Sequence, residues 1–264
     1  MDFSRHITNT IEWFYFEDVT SGRERDASVL VLGDKETTAP FVTLLEPRVH
    51  QVSRRLDDST YDYVVIPVLT KKILRLFQGD VHTMLHALTE TWLKKGGRIL
   101  MGIENALDID RMASGDRKED VLYLRWSELA SLRATLREEQ PGARETLYYL
   151  TPELNVPLHF YSDARMPDVS EEDEKTALLI RENRFREFVP AYFYIYQPDG
   201  SVRPKARDYR RFLPDYIKYN STRKPAYAIK TLLYRDDQGK RFAVKAGTTP
   251  EANAHIESLS EKAE

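Results

Sequence analysis

Cysteine is absent from this chain of 264 residues. That excludes disulfide bridges and thiolate metal sites, and nothing in the composition calls for an oxidising compartment. Long apolar runs are missing too, since none approaches the roughly 18 residues a membrane-spanning helix needs. The opening MDFSRHITNT lacks the basic and apolar regions of a secretory signal, so a cytoplasmic location is the expectation. There are no internal repeats, no low-complexity tract and no HExxH metal pattern. Kinase signatures are also wanting. Phe242-Ala243-Val244-Lys245 resembles a V-A-I-K strand, and Thr249–Leu259 could mimic the helix that follows it. The glycine-rich phosphate loop, the HRD-type loop and the DFG motif are all absent, so kinase activity is not expected.

What is present has the balance of a globular chain, with 41% hydrophobic and 31% charged residues. The length suits one large domain, or one domain with an appendage. The net charge of -3 hides an asymmetry: Ser201–Lys245 holds thirteen Lys or Arg against four Asp. Such a segment attracts a nucleotide, an anionic polymer, a membrane surface or an acidic partner chain, or answers the acidic stretch Asp168–Glu174 across a solvated surface.

Hydrophobic periodicity predicts a helix over Ile7–Phe16 and a buried strand over Ala27–Leu32 that ends at Gly33. A short helix at Pro40–Leu45 and strands at Val49–Val52 and Tyr61–Ile66 follow. Thr70–Lys95 reads as one helix stopped by Gly96-Gly97, with Arg98–Ile103 the next strand. Ser127 is a candidate N-cap for a helix over Glu128–Glu139. Strands at Thr146–Leu150 and Ala191–Tyr196 bracket an acidic helix near Glu171–Asn183. Strand and helix alternate, which predicts an α/β fold with a largely parallel sheet and helices on both faces. Residues 1–200 form this domain. Residues 201–264 read as a basic linker, a hairpin of Ala226–Tyr234 and Arg241–Lys245, and a terminal helix from Pro250, an appendage or the start of a further domain.

Three stretches resemble the class I S-adenosylmethionine-dependent methyltransferases: VLVLGDKETTAPF (Val29–Phe41), YDYVVIPVL (Tyr61–Leu69) and LKKGGRILMGIEN (Leu93–Asn105). They stand where that family has its first strand and cofactor loop, its fourth strand, and the helix, glycine turn and fifth strand. A narrower resemblance is to methyltransferase-like proteins of bacterial cell-surface polysaccharide synthesis. Glu12-Trp13-Phe14-Tyr15-Phe16, Ile103-Glu104-Asn105, Tyr148–Pro167 with Ser162-Asp163, and Lys218-Tyr219-Asn220 with Arg223 carry it. The resemblance implies a Rossmann-like sheet with one antiparallel late strand, S-adenosylmethionine as cofactor, and an oxygen of a glycan or phosphoglycan as methyl acceptor. It puts Gly33, Asp34 and Ser53 on the cofactor side, with Glu104 or Asp163 as candidate bases.

The cofactor motif is degenerate. Only Gly33 remains of the loop, Val31 stands where an acidic residue is usual, and Ser53 replaces the carboxylate that accepts from the ribose hydroxyls. Between Ser53 and Asp62 there is no room for the roughly 30 residues of a βαβ unit, so the third strand is expected to be missing. Asp57 and Asp58 are candidate replacement acids. Two readings follow: weak or lost methyl transfer, or a non-catalytic scaffold whose basic Ser201–Lys245 segment docks a protein partner. Nucleic acid is not the expected partner.

Other constellations have two readings each. His82 and His86 share a helix face, as two metal ligands or as plain surface histidines. Asp108-Ile109-Asp110 has DxD spacing or starts a helix. His159, Tyr161 and Asp163 alternate, as a catalytic pair or as a bonded loop. Tyr192–Tyr196 (YFYIY) is a stacking platform or a core strand.

Overall fold

The computed structural model describes residues 27–46, 49–154, 157–169, 174–200, 214–220, 227–236, 238–247 and 249–260. The helix expected over Ile7–Phe16 and most of the expected basic linker lie outside them.

The chain enters with β1 (Ser28–Val31), turns through Gly33 into α1 (Lys35–Leu45), and returns as β2 (Gln51–Ser53) and β3 (Tyr61–Ile66). Two short helices follow, α2 (Lys71–Leu76) and α3 (Val81–Ala87), then a π-helical turn (Leu88–Trp92) and the long β4 (Leu93–Asn105). Next come α4 (Ile109–Ser114), β5 (Tyr123–Leu124), α5 (Trp126–Glu139), β6 (Arg144–Thr151) and β7 (His159–Ser162). The remainder is α6 (Glu174–Arg181), α7 (Phe185–Phe188), β8 (Ala191–Gln197), β9 (Tyr216–Tyr219), β10 (Ile229–Arg235), β11 (Arg241–Gly247) and α8 (Pro250–Ser260).

The eleven strands among the described residues join one sheet in the order β11-β10-β9-β7-β6-β8-β4-β3-β1-β2, with β5 beside the end of β4. Strands β2, β1, β3 and β4 run parallel. From β8 outward every pairing is antiparallel. The sheet is therefore largely parallel only in its first half. The difference arises from β7 and β9, four-residue strands in which His159, Ser162 and Lys218 interrupt the apolar pattern, and which carry the sheet on to the β10–β11 hairpin without a break. Among the described residues nothing pairs outside β2, and residues 54–60 lead directly from β2 to β3.

Successive strand residues face opposite sides, and both sides are dry. Val29, Val31, Val65 and Leu100 pack with Phe41, Val42 and Leu45 of α1 on one face. Leu30, Val64, Ile66 and Met101 pack with Ile73, Met84, Leu85 and Leu129 from α2, α3 and α5 on the other. Burying a side chain such as Phe41 or Leu85 contributes about 1.5–3 kcal/mol.

Two local expectations are corrected. The helical period over Thr70–Lys95 breaks at Phe77-Gln78-Gly79, where Asp80 caps a new helix by accepting from Thr83 N at 2.9 Å. Gly96 and Gly97 then lie inside β4. Gly96 takes φ 80°, and a Cβ on Gly97 would come within 2.8 Å of the Asp62 carbonyl oxygen. The pair forms a bulge: β4 advances from Leu93 to Arg98 while β3 advances from Tyr61 to Tyr63. At α5, Ser127 is already helical, and the first turn is closed instead by Glu128, whose carboxylate accepts from Arg125 N at 2.6 Å.

Asp62 fastens the start of the parallel half. Its Oδ2 accepts from Ser28 N (2.8 Å), Ser28 Oγ (2.9 Å) and Lys94 Nζ (2.8 Å). Burial pushes this carboxyl upward, but the bonds from Lys94 and Ser28 outweigh it and hold it below the ordinary range. A lowered folded value means the stabilisation is complete above about pH 4 and is lost as pH falls through the folded value. We expect Asp62→Asn to cost about 1–2 kcal/mol in urea melts at pH 7, with the deficit closing below pH 4; an unchanged deficit at low pH would contradict the assignment.

Candidate functional site

Parallel strands present their carboxyl ends together, and in open α/β sheets ligands settle where the strand order reverses. Here that point is β1, flanked by β2 and β3. The edge carries Gly33 and Asp34 after β1, Ser53 at the end of β2, Pro67–Thr70 after β3, and Glu104-Asn105 at the end of β4.

The polar groups expected there are engaged by the protein itself, Asp58 excepted. Asp34 is the N-cap of α1: its Oδ1 accepts from Thr37 N at 2.8 Å, and its carbonyl accepts from Thr38 Oγ1 at 2.8 Å. Gly33 makes room for that cap, because a Cβ would stand 2.7 Å from Thr37 Oγ1. Ser53 Oγ donates to Arg55 O (2.9 Å) and accepts from Arg55 N (3.2 Å), closing its own turn. Asp57 accepts from Tyr61 Oη (2.7 Å) and Ser59 N (2.9 Å), which hold its carboxyl below the usual range, and Asp58 is exposed.

Glu104 is 5% exposed and meets Arg111 of α4, Oε2 to NH1, at 2.8 Å. The contact is an ion pair without an in-line hydrogen bond. Asp108 stands 3.7 Å from the same guanidinium, which lies 5.2 Å from the centre of the Tyr123 ring. Burial raises the Glu104 carboxyl above its ordinary value against the opposing pull of Arg111. Asn105 next to it is 1% exposed and fully bonded: Nδ2 donates to Glu187 O (2.8 Å) and Val189 O (2.6 Å), and Oδ1 accepts from Leu107 N (3.0 Å).

Asp163 lies apart from this edge. Ser162 is opposite Tyr148, and the turn after it runs toward the end where β6 begins, whereas Glu104 is level with Leu150 through Ala191. Its Oδ1 accepts from Tyr149 Oη at 2.7 Å and meets Arg186 Nε at 3.1 Å, and Oδ2 lies 4.0 Å from Arg133. His159 is not its partner: His159 Nδ1 bonds Tyr216 Oη at 2.8 Å, and its ring stacks on Tyr161 at 5.5 Å. The fold thus gathers Gly33, Asp34, Ser53 and Glu104 at one edge and separates Asp163 from them.

A buried charge cluster holds α5 to the antiparallel half. The Glu145 carboxylate takes Arg133 Nε (3.1 Å), Tyr194 Oη (2.7 Å) and the Arg137 guanidinium. YFYIY is a core strand, with Tyr192, Tyr194 and Tyr196 facing α5 and their hydroxyls donating to Arg186 O, Glu145 and Gln140. Burial pushes the Tyr196 phenol up to about 12. His82 pairs with Glu139 at 2.8 Å, linking α3 to α5. Asp108 caps α4, accepting from Asp110 N at 3.1 Å, and Asp110 pairs with Lys175 at 2.5 Å. Among the described residues no His, Asp and Glu side chains gather as a metal site, and no helix is long and apolar enough to cross a membrane. The sequence reading missed Arg111 and Glu145; six residues that leave β4 and enter α4 separate Arg111 from Glu104, and Glu145 shares its face of β6 with the buried Leu147 and Tyr149.

No family model and no curated protein matches the chain. Among solved structures it is similar to a SAM-dependent methyltransferase from Archaeoglobus fulgidus, at 14% identity and a TM-score of 0.39, covering 74% of this chain and 94% of that one. It is similar also to a SAM-dependent methyltransferase and possible histamine N-methyltransferase from Thermotoga maritima, at 14% identity and a TM-score of 0.37, covering 74% and 97%. Likeness at this level carries no activity, cofactor or substrate over to this chain.

Two outcomes are expected at this edge. Arg111→Leu should cost about 3 kcal/mol at pH 7, because it leaves the Glu104 charge buried and unpaired. The folded carboxyl then titrates well above its unfolded value near 4.3, so its protonated form is the stabilising one, and stability lost as pH rises should return as pH falls. Urea melts at pH 7 and 5 that show equal deficits would refute an ionised Glu104. Asn105→Leu, which orphans two buried carbonyls and one N–H, should lower stability by about 3 kcal/mol with no pH dependence between 5 and 8.

Proposed function

We propose that this chain is a methyltransferase-like protein whose cofactor crevice no longer turns over S-adenosylmethionine, and that it acts by binding a partner. One observation carries the reading: the groups expected to hold the cofactor are closed onto the protein, Asp34 as a helix cap and Ser53 in its own turn. Ser53 stands in place of the ribose-binding carboxylate at the end of β2, and of the two acids that follow, Asp57 is tied to Tyr61 and Ser59 while Asp58 is exposed. A hydrogen bond to a charged acceptor is worth about 1.5–3 kcal/mol, so two or three such losses weaken binding about a thousandfold. Strand order supports the methyltransferase-like part, with parallel β2-β1-β3-β4 followed by antiparallel β8 and then β6.

The setting is the synthesis of bacterial surface glycans, in the cytoplasm, and the glycan or a protein of that pathway is the partner. The Ile103-Glu104-Asn105 box and the Ser162-Asp163 turn support this through their resemblance alone. A weakly active enzyme is the rival reading, favoured by the position of Glu104 at the carboxyl edge of β4. In it, Glu104 must give up Arg111 before it can take a proton from an acceptor hydroxyl.

Isothermal titration of the full chain with S-adenosylmethionine and S-adenosylhomocysteine decides between them. We expect no saturation at about millimolar ligand, whereas micromolar affinity for either would overturn the proposal.

A further inference from the structure

A second concavity is independent of the crevice at Gly33. It lies between the turn after β7 and the β10–β11 hairpin, in the part of the sheet that points away from the carboxyl ends of β1 and β4. Its volume is about 250 Å³. Leu233, Tyr234 and Phe242 give it an apolar wall, in which the Phe242 and Tyr234 rings stack at 5.2 Å and 13°. Arg165, Arg241 and Asp215 supply its charges.

The turn that carries Arg165 is built in. Residues 162–165 form a turn closed from both sides, Arg165 N donating to Ser162 O (3.1 Å) and Ser162 N to Arg165 O (3.2 Å). Ser162 Oγ braces it, donating to Asp215 O at 2.6 Å and accepting from Ala164 N at 3.2 Å. That turn directs Asp163 to Tyr149 and Arg186, while Arg165 lines the cavity. Asp215 is neutralised by Arg235, at 3.4 Å. Arg165 and Arg241 make no ion pair among the described residues, so the cavity keeps two uncompensated positive charges beside an aromatic wall.

We propose that this cavity binds a phosphate monoester carried on a flat aromatic or heteroaromatic ring. At neutral pH a phosphate monoester bears about -1.5 to -2 charge, which matches the two free guanidinium groups. Guanidinium forks hold phosphate oxygens in pairs, and a flat ring continues the Phe242–Tyr234 stack. The volume admits one ring with its phosphate and is too small for a dinucleotide. The site stands whether or not the crevice at Gly33 binds a cofactor.

The test uses the full chain and phenyl phosphate as probe, with phenol and inorganic phosphate as its two halves, at constant ionic strength. Phenyl phosphate is expected to saturate, and each half to bind at least about tenfold more weakly. Arg165→Gln and Arg241→Gln, in separate proteins with unchanged melting, should each weaken phenyl phosphate about tenfold or more. Arg165→Lys, which keeps the charge but loses the fork, should fall between. The proposal is overturned by no saturation at about 10 mM, by both glutamine variants binding phenyl phosphate as tightly as the unsubstituted chain, or by inorganic phosphate binding as tightly as the ester.

Discussion

The side-chain amide of Asn105 holds the two halves of the molecule in register. It ends β4, the last parallel strand, at the seam where β8 begins the antiparallel run. Both of its N–H groups go to chain carbonyls just before β8, and its oxygen receives the N–H of Leu107. No other side chain of that size presents two donors and an acceptor in this way. Everything at the carboxyl edge depends on where β4 stops: the turn into α4 that brings Arg111 to Glu104, the β5 bridge, and the closure of α7 against Tyr149, on which Trp126 also packs.

At that edge polar chemistry is present but directed inward. Asp34, Ser53 and Glu104 each sit where a ligand could reach a strand end, and each bonds the chain's own backbone or an arginine. In a binding crevice these atoms would be left open to the guest. Here their satisfaction stabilises short turns, the first turn of α1 and the connection after β2 among them.

Strands buried on both faces were readable as uninterrupted apolar runs, and so β1, β3, the body of β4 and β8 fell where periodicity put them. Two kinds of element were not readable. Strands β7 and β9 are four residues long, and pairing with their neighbours, rather than their own pattern, makes them strands. Gly96-Gly97 has the composition of a helix stop, but tertiary pairing with β3 turned it into a bulge. In the site, positions along the edge followed from strand ends. Partners did not: the Glu104–Arg111 and Glu145–Arg133 pairs depend on how α4 and α5 dock, which no local pattern encodes.

Strand β8 has a temporal consequence. It lies between β4 and β6, both of which leave the ribosome before it does. Until residues 191–197 emerge, β4 and β6 each keep an open edge, and β6 is free to add directly to β4 in a sheet that would lack its centre. Nascent chains of this protein must therefore wait, exposed and dependent on whatever shields them, for one seven-residue segment. A pause in translation before that point prolongs the interval in which the unfinished sheet can recruit a neighbour.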